Sequence, residues 1–531
     1  MSNFIDKLSV LNKGELFGRF SFSISRKTKH YDKYLKKSLC KKCTYSPLNI
    51  FENEQLLKIS SNPYILKYAG IERDIRNSGG ASDNTIWYQL NESSFDGDIR
   101  EEWEMMRLQN LNLCLSNYLI TKNNQIIGEI NTILEKWFSL NKIDYGYAHI
   151  SNLEIAIRFL TFYRLQFYLK DKLDIDMIDI LRRYAIHIYY DLHRTNLCIP
   201  NNHSLGEAII LLLASKIFGE SKWENYSKKT IRSRLDLINE YGESTEESSG
   251  YHLFVHQMFL VLLSICDDFD NELLPRIMKS KRILEKLSDR DGNIGLFGDC
   301  DDGLFFVFDS FNRNNIKSIY CPYLKSFDKV KTFECNISLI DTKESKYLLV
   351  KEKGDFKVAL IGGYDINHAH VQSLSFLLWV KGKQVVFAPG TYRYNGPEGS
   401  IRLELGSSEM SNTPSILLRN NFVTKFRHKR IIKKVELTDR DNSIEGVICF
   451  KNNIAKRSIS LGNDSITIED SCNSDFKFNI CIDSESKINI EPSDNINEKN
   501  DKYSPSYGVL ETKKYLYFSS KNNKNKVVIA A

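Results

Sequence analysis

The chain has 531 residues, 42% of them hydrophobic and 26% charged, a globular composition that excludes a disordered, collagen-like or fibrous protein. A formal charge of +6 is small for this length, so composition makes no electrostatic case for nucleic acid as a partner and leaves room for a weakly anionic ligand. Aromatic residues reach 12%, mostly Tyr and Phe, which is first of all what core packing uses and also suits a groove where sugar rings stack.

The amino-terminal stretch MSNFIDKLSVLNKGELFGRF interleaves Asp6, Lys7, Lys13, Glu15 and Arg19 with its apolar residues, so no secretion signal is expected there. From about residue 98 to 290 apolar residues recur at spacings of three and four. Helices are predicted over 99–120, 152–169, 177–192, 204–218, 223–242, 251–266 and 274–289. Several are apolar on more than one face, as in a layered helical array. The longest apolar stretch, Leu253 to Cys266, is broken by His256 and Gln257 and falls short of the roughly 20 residues that span a bilayer. It reads as a buried helix, and no integral membrane segment is expected.

After about residue 335 the period changes to two. Strands are predicted over 347–350, 356–362, 374–380, 383–389, 443–450, 457–461, 465–470, 476–483 and 514–520, with 484–505 as a polar surface loop. Helices followed by strands imply an α-then-β, multidomain chain: an extension over 1–95, a helical domain over 96–330 and an antiparallel β-sheet domain over 331–531. The 11 cysteines are scattered, and Cys40/Cys43 is the one CxxC pair, with Cys114 next. A zinc knuckle needs a second pair nearby, so reduced thiols in a cytoplasmic protein are the expectation.

Four places interrupt these structural patterns with polar residues. Asn201-Asn202-His203 opens a predicted helix, where capping accounts for one asparagine but not for the histidine. The loop GESTEESSGYH (242–252) leads into the apolar helix with Tyr251 and His252 at its start. His252 and His256 share a helical face, but no glutamate of an HExxH pattern lies between them, and burial with hydrogen bonds suffices. GLFGDCDDGLF (295–305) gathers Asp299, Asp301 and Asp302 in a glycine-bounded turn. His368 and His370 precede an alternating strand and, two apart in extended chain, share one face, as catalysis or metal binding would use.

The order of DIREEWEMMRLQNL (98–111), LEIAIR (153–158), NNHSLGEA (201–208), EESSGYH (246–252), GLFGD (295–299), HAHVQSLSF (368–376) and PGTYRYNG (389–396) resembles the heparinase II/III family of polysaccharide lyases over most of 95–420. The resemblance implies an incomplete (α/α) toroid followed by antiparallel β-sandwich layers. It also implies β-elimination across C4 and C5 of a uronic acid, which needs a group to neutralise the carboxylate, a base for the C5 proton and an acid for the departing oxygen. Asn202 matches the family's carboxylate-side residue, Tyr251 its tyrosine acid/base and His368 its catalytic histidine. His203, Glu247, His252, Asp299, His370, Tyr392 and Arg402 are the candidate substrate contacts.

At the family's zinc positions this chain has His370, Ala388 and Ser411, and Gln372 stands where relatives commonly carry aspartate. His370 alone keeps a ligand, so neither a metal nor any other cofactor is expected. The partner is an acidic polysaccharide or oligosaccharide, and the resemblance suggests bacterial surface-polysaccharide metabolism as the setting. Two other functions stay open: a glycoside hydrolase on the same toroid using Glu246, Glu247 or Asp299, and a non-catalytic glycan-binding or assembly protein.

Overall fold

The computed structural model describes residues 13–41, 43–52, 62–76, 83–309, 313–320, 322–335, 347–363, 368, 370–394, 399–414, 432–450, 453–483, 485, 488–492, 497–520 and 523–530. Ala369, Asn395 and Gly396 of the motifs above lie outside them, as do residues 1–12 and 336–346 and parts of the 484–505 segment. The helical half comprises α1 (Lys13–Lys27), α2 (His30–Leu39), α3 (Ile99–Met106), α4 (Asn110–Thr121), α5 (Gln125–Leu140), α6 (Asn152–Leu169), α7 (Met177–Cys198), α8 (Asn202–Phe218), α9 (Ser221–Arg232), α10 (Ser249–Ile265), α11 (Asp270–Leu287) and α12 (Ser326–Cys335). A small hairpin, β1 (Ile65–Tyr68) and β2 (Ile71–Asp74), precedes α3. This is an incomplete (α/α) toroid followed by antiparallel sheets: the helix-then-strand order is what periodicity predicts, and the toroid is what the resemblance implies.

The predicted helix over 99–120 is two helices. Leu108 has a φ of 55° and breaks it, and the polar groups freed at the break find partners within the toroid. Arg158 Nη1 donates to the Met106 carbonyl at 2.8 Å and Nη2 to that of Ala148, while Arg107 pairs with Glu104 and Glu154 at 2.6 Å each. The REEWEMMR and LEIAIR motifs are therefore linked by buried ion pairs. Such groups need full hydrogen bonding when they leave water.

Two sheets form the β half. One has the order β12-β15-β10-β9-β8-β7 and the other β13-β14-β11-β6-β5-β4-β3, every neighbouring pair antiparallel. The first is built from β7 (Ile432–Arg440), β8 (Ser443–Phe450), β9 (Asn453–Leu461), β10 (Ser465–Cys472), β12 (Asn489–Pro492) and β15 (Lys524–Ala530). The second is built from β3 (Leu348–Lys353), β4 (Phe356–Ile361), β5 (Phe376–Val380), β6 (Lys383–Phe387), β11 (Lys477–Ile482), β13 (Asn497–Tyr503) and β14 (Glu511–Ser519). Phe376, Leu378, Ile459, Ile468, Phe478 and Val527 belong to the one core between them.

The opposite face of the second sheet is not solvated. Ala359, Ile361, Leu377 and Trp379 pack against Leu253, Leu284, Leu287 and Phe297 of the helical half. Burial on both faces is why β4 and β5 read as continuous apolar runs rather than as alternation. Periodicity alone misses β7 and β15. It also misassigns 484–505: β12 and β13 are edge strands, and the side chains over Asn497–Asn500 are exposed, which gives an edge strand the composition of a loop.

Arg457 points into the sandwich from β9. It forms a fully buried bidentate pair with Asp470 and donates to the carbonyls of Leu374 and Asn412. Removing one partner strands the other charge in the core. Asp470→Asn is expected to cost about 3–5 kcal/mol, seen as a lowered urea midpoint with unchanged secondary structure. A shift below about 1 kcal/mol would mean water reaches the arginine.

Candidate active site

The loop Thr245–Ser248 enters α10 through Ser248, whose hydroxyl accepts from the Tyr251 backbone N–H at 3.2 Å and donates to the Asp299 carbonyl at 2.5 Å. Gly298 lies in the same crossing with a φ of +72°. A Cβ there would meet the Glu247 carbonyl at 2.7 Å and the His368 carbonyl at 2.9 Å, so only glycine lets three chain segments converge. The Asp299 N–H then donates to the His368 carbonyl at 2.6 Å, and the His368 N–H to the Glu246 carbonyl at 3.1 Å. Main-chain bonds thus lock the histidine segment of the β half onto the helical half.

Two carboxylates organise the side chains. Asp299 accepts from Arg402 Nη2 and, at 3.2 Å, from Nε; His370 Nε2 is 3.1 Å from its Oδ1, and His368 Nδ1 is 3.9 Å from its Oδ2. Burial alone would raise its pKa, but the Arg402 charge and the two histidines hold it well below the usual carboxylate range. Asp301 faces the other way, toward Arg100 Nη1 at 2.7 Å and the Tyr251 hydroxyl at 3.3 Å. Its burial is likewise outweighed, by Arg100 and Arg107, and its pKa is lowered.

Tyr251 and His368 stack with ring centroids 3.6 Å apart at 15°. Both are buried, and neither ring nitrogen of His368 has a hydrogen-bond partner among the described residues. The Tyr251 hydroxyl is 3.2 Å from that of Tyr394, a ring flanked by the guanidinium groups of Arg402 at 4.0 Å and Arg100 at 5.0 Å. Burial, followed by the Asp301 charge, pushes the Tyr251 pKa well up despite Arg100. At neutral pH it is a phenol.

Asn202 opens α8, fully buried. Its backbone N–H donates to Glu246 Oε1 at 3.1 Å and its Nδ2 to Oε1 and Oε2 at 3.0 and 2.8 Å, while its Oδ1 has no partner among the described residues. The structure therefore joins Tyr251, His368, Asp299, His370 and Arg402 in one cluster, links Asn202 to it through Glu246, and packs Glu247 on Gly363. His203 is half-buried on the first turn of α8.

Two candidates lie elsewhere. The His252 ring is buried with Nε2 2.8 Å from the Ser280 hydroxyl, which also meets His256 Nδ1 at 2.9 Å. Burial drives both histidines down to about 3, so they are neutral packing residues, and His252 is not placed to contact substrate. Tyr392 packs among Leu405, Met410, Cys481, Tyr503 and Tyr515.

Arg100, Asp301, Tyr394 and Glu246 complete the site; the sequence offered Asp301 only as a member of an acidic turn and Glu246 only as a hydrolytic carboxylate, and gave Arg100 and Tyr394 no role. Arg100 and Tyr394 lie inside quoted motifs, but nothing in one sequence tells a functional member of a motif from a structural one. At the zinc positions, Ala388 packs with the apolar residues under the sheet, the Ser411 hydroxyl donates to the Val371 carbonyl at 2.7 Å, and His370 is engaged with Asp299. Gln372 bridges the Gly298 N–H and the Glu247 carbonyl. These residues do not fit a zinc site: one has no donor atom, one is spent on backbone, and Arg402 already neutralises the nearby carboxylate.

Because Asp299 is held below its unfolded value of about 3.9, it contributes stability that is present above that pH and lost as the pH falls toward the folded value. Arg402→Met leaves burial unopposed by the guanidinium and raises that folded value. The acid-unfolding midpoint followed by tryptophan fluorescence is expected to move to higher pH, and an unmoved midpoint would detach Asp299 from Arg402.

Residues 356–504 match the family model described as Heparinase II/III-like, C-terminal. No curated protein matches the chain. Among solved structures it is similar to a mutant of the heparan sulfate lyase HepC from Pedobacter heparinus, with 14% identity and a TM-score of 0.54 over 94% of this chain and 87% of that one. A heparinase III gene product gives 16% and 0.55 over 98% and 93%, and a further heparinase III gives 12% and 0.56 over 99% and 93%. The chain thus has the fold of these polysaccharide lyases along nearly its whole length and carries a heparinase II/III-like C-terminal domain within it.

Proposed function

We propose that this protein is a polysaccharide lyase-like enzyme that cleaves an acidic glycan by β-elimination at a uronic acid. The observation that carries this reading is the Tyr251–His368 stack, a phenol and an imidazole held side by side. The phenol is protonated at rest, which suits a proton donor to the departing O4. His368, with two ring nitrogens free of hydrogen bonds among the described residues, suits the base that takes the C5 proton. Asp299, 3.9 Å away, would stabilise the imidazolium so formed.

Asn202 is the carboxylate-side residue in this reading. Its amide and backbone N–H already grip a carboxylate, that of Glu246, and a uronate would compete for the same donors. Arg402 and Arg100 supply the positive field that stabilises charge developing on the uronate as C5 is deprotonated. No step is routed through a metal, and the purified protein incubated with zinc and desalted is expected to retain far less than one ion per chain. Stoichiometric retention would restore a metal to the site.

Hydrolysis fits less well. It needs one carboxylic acid kept protonated, whereas Arg402 and the histidines hold Asp299 ionised and Glu246 is engaged by Asn202. The two reactions separate on product chemistry. Incubation with a panel of uronate polysaccharides is expected to yield an ultraviolet-absorbing unsaturated uronate with no water added, and a mass increase of one water would instead establish hydrolysis. Tyr251→Phe should lower turnover roughly 10²-fold or more with folding and glycan binding retained, and His368→Ala should do the same. Wild-type binding without any turnover would make the protein a glycan-binding one.

A further inference from the structure

The two N-terminal helices carry a charge and a surface that the site does not use. Residues 13–41 contain nine Lys and Arg against Glu15 and Asp32, a net of +7, which exceeds the +6 of the entire chain. This helical pair is therefore one of the strongly basic stretches of the chain.

One side of α1 is anchored. Phe22 sits under the Arg194 guanidinium at 4.8 Å, Ser25 hydrogen-bonds Tyr190, and a Cβ on Gly18 would meet Cys198 Sγ at 2.7 Å, all on α7. In α2, Tyr31 is buried and donates to Asp144 at 2.6 Å. The outward side of α1 is apolar: Phe17, Phe20 and Ile24 are 66%, 67% and 47% exposed, and at spacings of three and four they form one stripe. Beside them Leu197 of α7 is also exposed. Arg19 and Lys27 of α1, Lys29 between the helices, Lys33, Lys36 and Lys37 of α2 and Lys41 just after it are also exposed.

We propose that this face is a peripheral membrane-binding surface for a leaflet rich in anionic lipid. A stripe of two phenylalanines and an isoleucine accompanied by cations, on a helix lying along the molecular surface, has the form of an interfacial helix: rings enter the headgroup boundary while lysines reach lipid phosphates and carboxylates. A polyanionic glycan would use the lysines and leave the rings in water. An acidic protein would use both; a leaflet is favoured because its anionic headgroups lie directly over an apolar layer, matching lysines and rings offered together on these two helices. The helices supply only part of a stable anchor, so binding is reversible and salt-sensitive.

The test is flotation of the full chain with vesicles of phosphatidylcholine alone or containing about a third phosphatidylserine. Binding to the anionic vesicles is expected to be roughly tenfold or more stronger and to fall steeply as salt rises from about 0.1 to about 0.5 M. Phe17→Ser/Phe20→Ser/Ile24→Ser replaces exposed side chains only and should cut binding roughly tenfold with circular dichroism unchanged, and Lys33→Glu/Lys36→Glu/Lys37→Glu should do likewise through charge. Failure of wild type to float, equal binding to both vesicles, or a triple serine variant that binds as wild type would overturn the proposal. So would concentration-dependent dimerisation abolished by the serine substitutions, which would assign the stripe to a second copy of the chain.

Discussion

A buried carboxylate has to be compensated, and Asp299 is where that constraint shapes this protein. It lies in the loop after α11, in the helical half, yet the groups that keep it ionised, Arg402, His370 and His368, all come from the β half. Taking the carboxylate out of water without them would cost several kcal/mol, so the two halves cannot separate at this point without exposing it. The main-chain bonds among Glu246, His368 and Asp299 add direction to that attraction. Together they fix the histidine ring against Tyr251.

The chemistry follows from the same electrostatics. Asp299 and Asp301, two residues apart, are drawn to different cations, one to Arg402 and the other to Arg100. Tyr251 and Tyr394 lie between these two ion pairs with hydroxyls in contact. The cluster holds a protonated phenol, an imidazole whose ring nitrogens have no hydrogen-bond partner among the described residues, and low-pKa carboxylates in one buried place. Proton transfer suits such a set better than the protonated-carboxylic-acid chemistry of glycoside hydrolysis. Arg402 also gives the site a fixed cation on the carboxylate that His370 touches, which is why the absence of ligands at Ala388 and Ser411 leaves the arrangement electrically balanced.

Layering explains the rest of the molecule. The strands β4 and β5 of the second sheet are buried on both faces, by the toroid through Trp379 and Leu377 and by the first sheet through Phe376 and Leu378. They are the rigid wall on which the His368 segment is mounted. The basic helical pair α1 and α2 carries a net charge of +7 and presents exposed apolar side chains that the core does not use.

The sequence by itself determined the class of each half, because helical and strand periods are local consequences of which faces are buried. It also determined most of the motif set, since Asn202, Tyr251, His368 and Asp299 lie in segments that break those periods, whereas Arg402 came only from the family resemblance. The sequence could not separate contacts from packing. His252 follows Tyr251 directly, yet one turns into the cluster and the other into Ser280, because adjacent positions on a helix point about 100° apart. Nor could it reveal that Glu246 holds Asn202, that Asp301 and Arg100 flank Tyr251, or that 484–505 contains edge strands. These depend on partners tens to hundreds of residues away, and only the tertiary structure, by burying charges that must then find one another, decided which of the possible pairs exist.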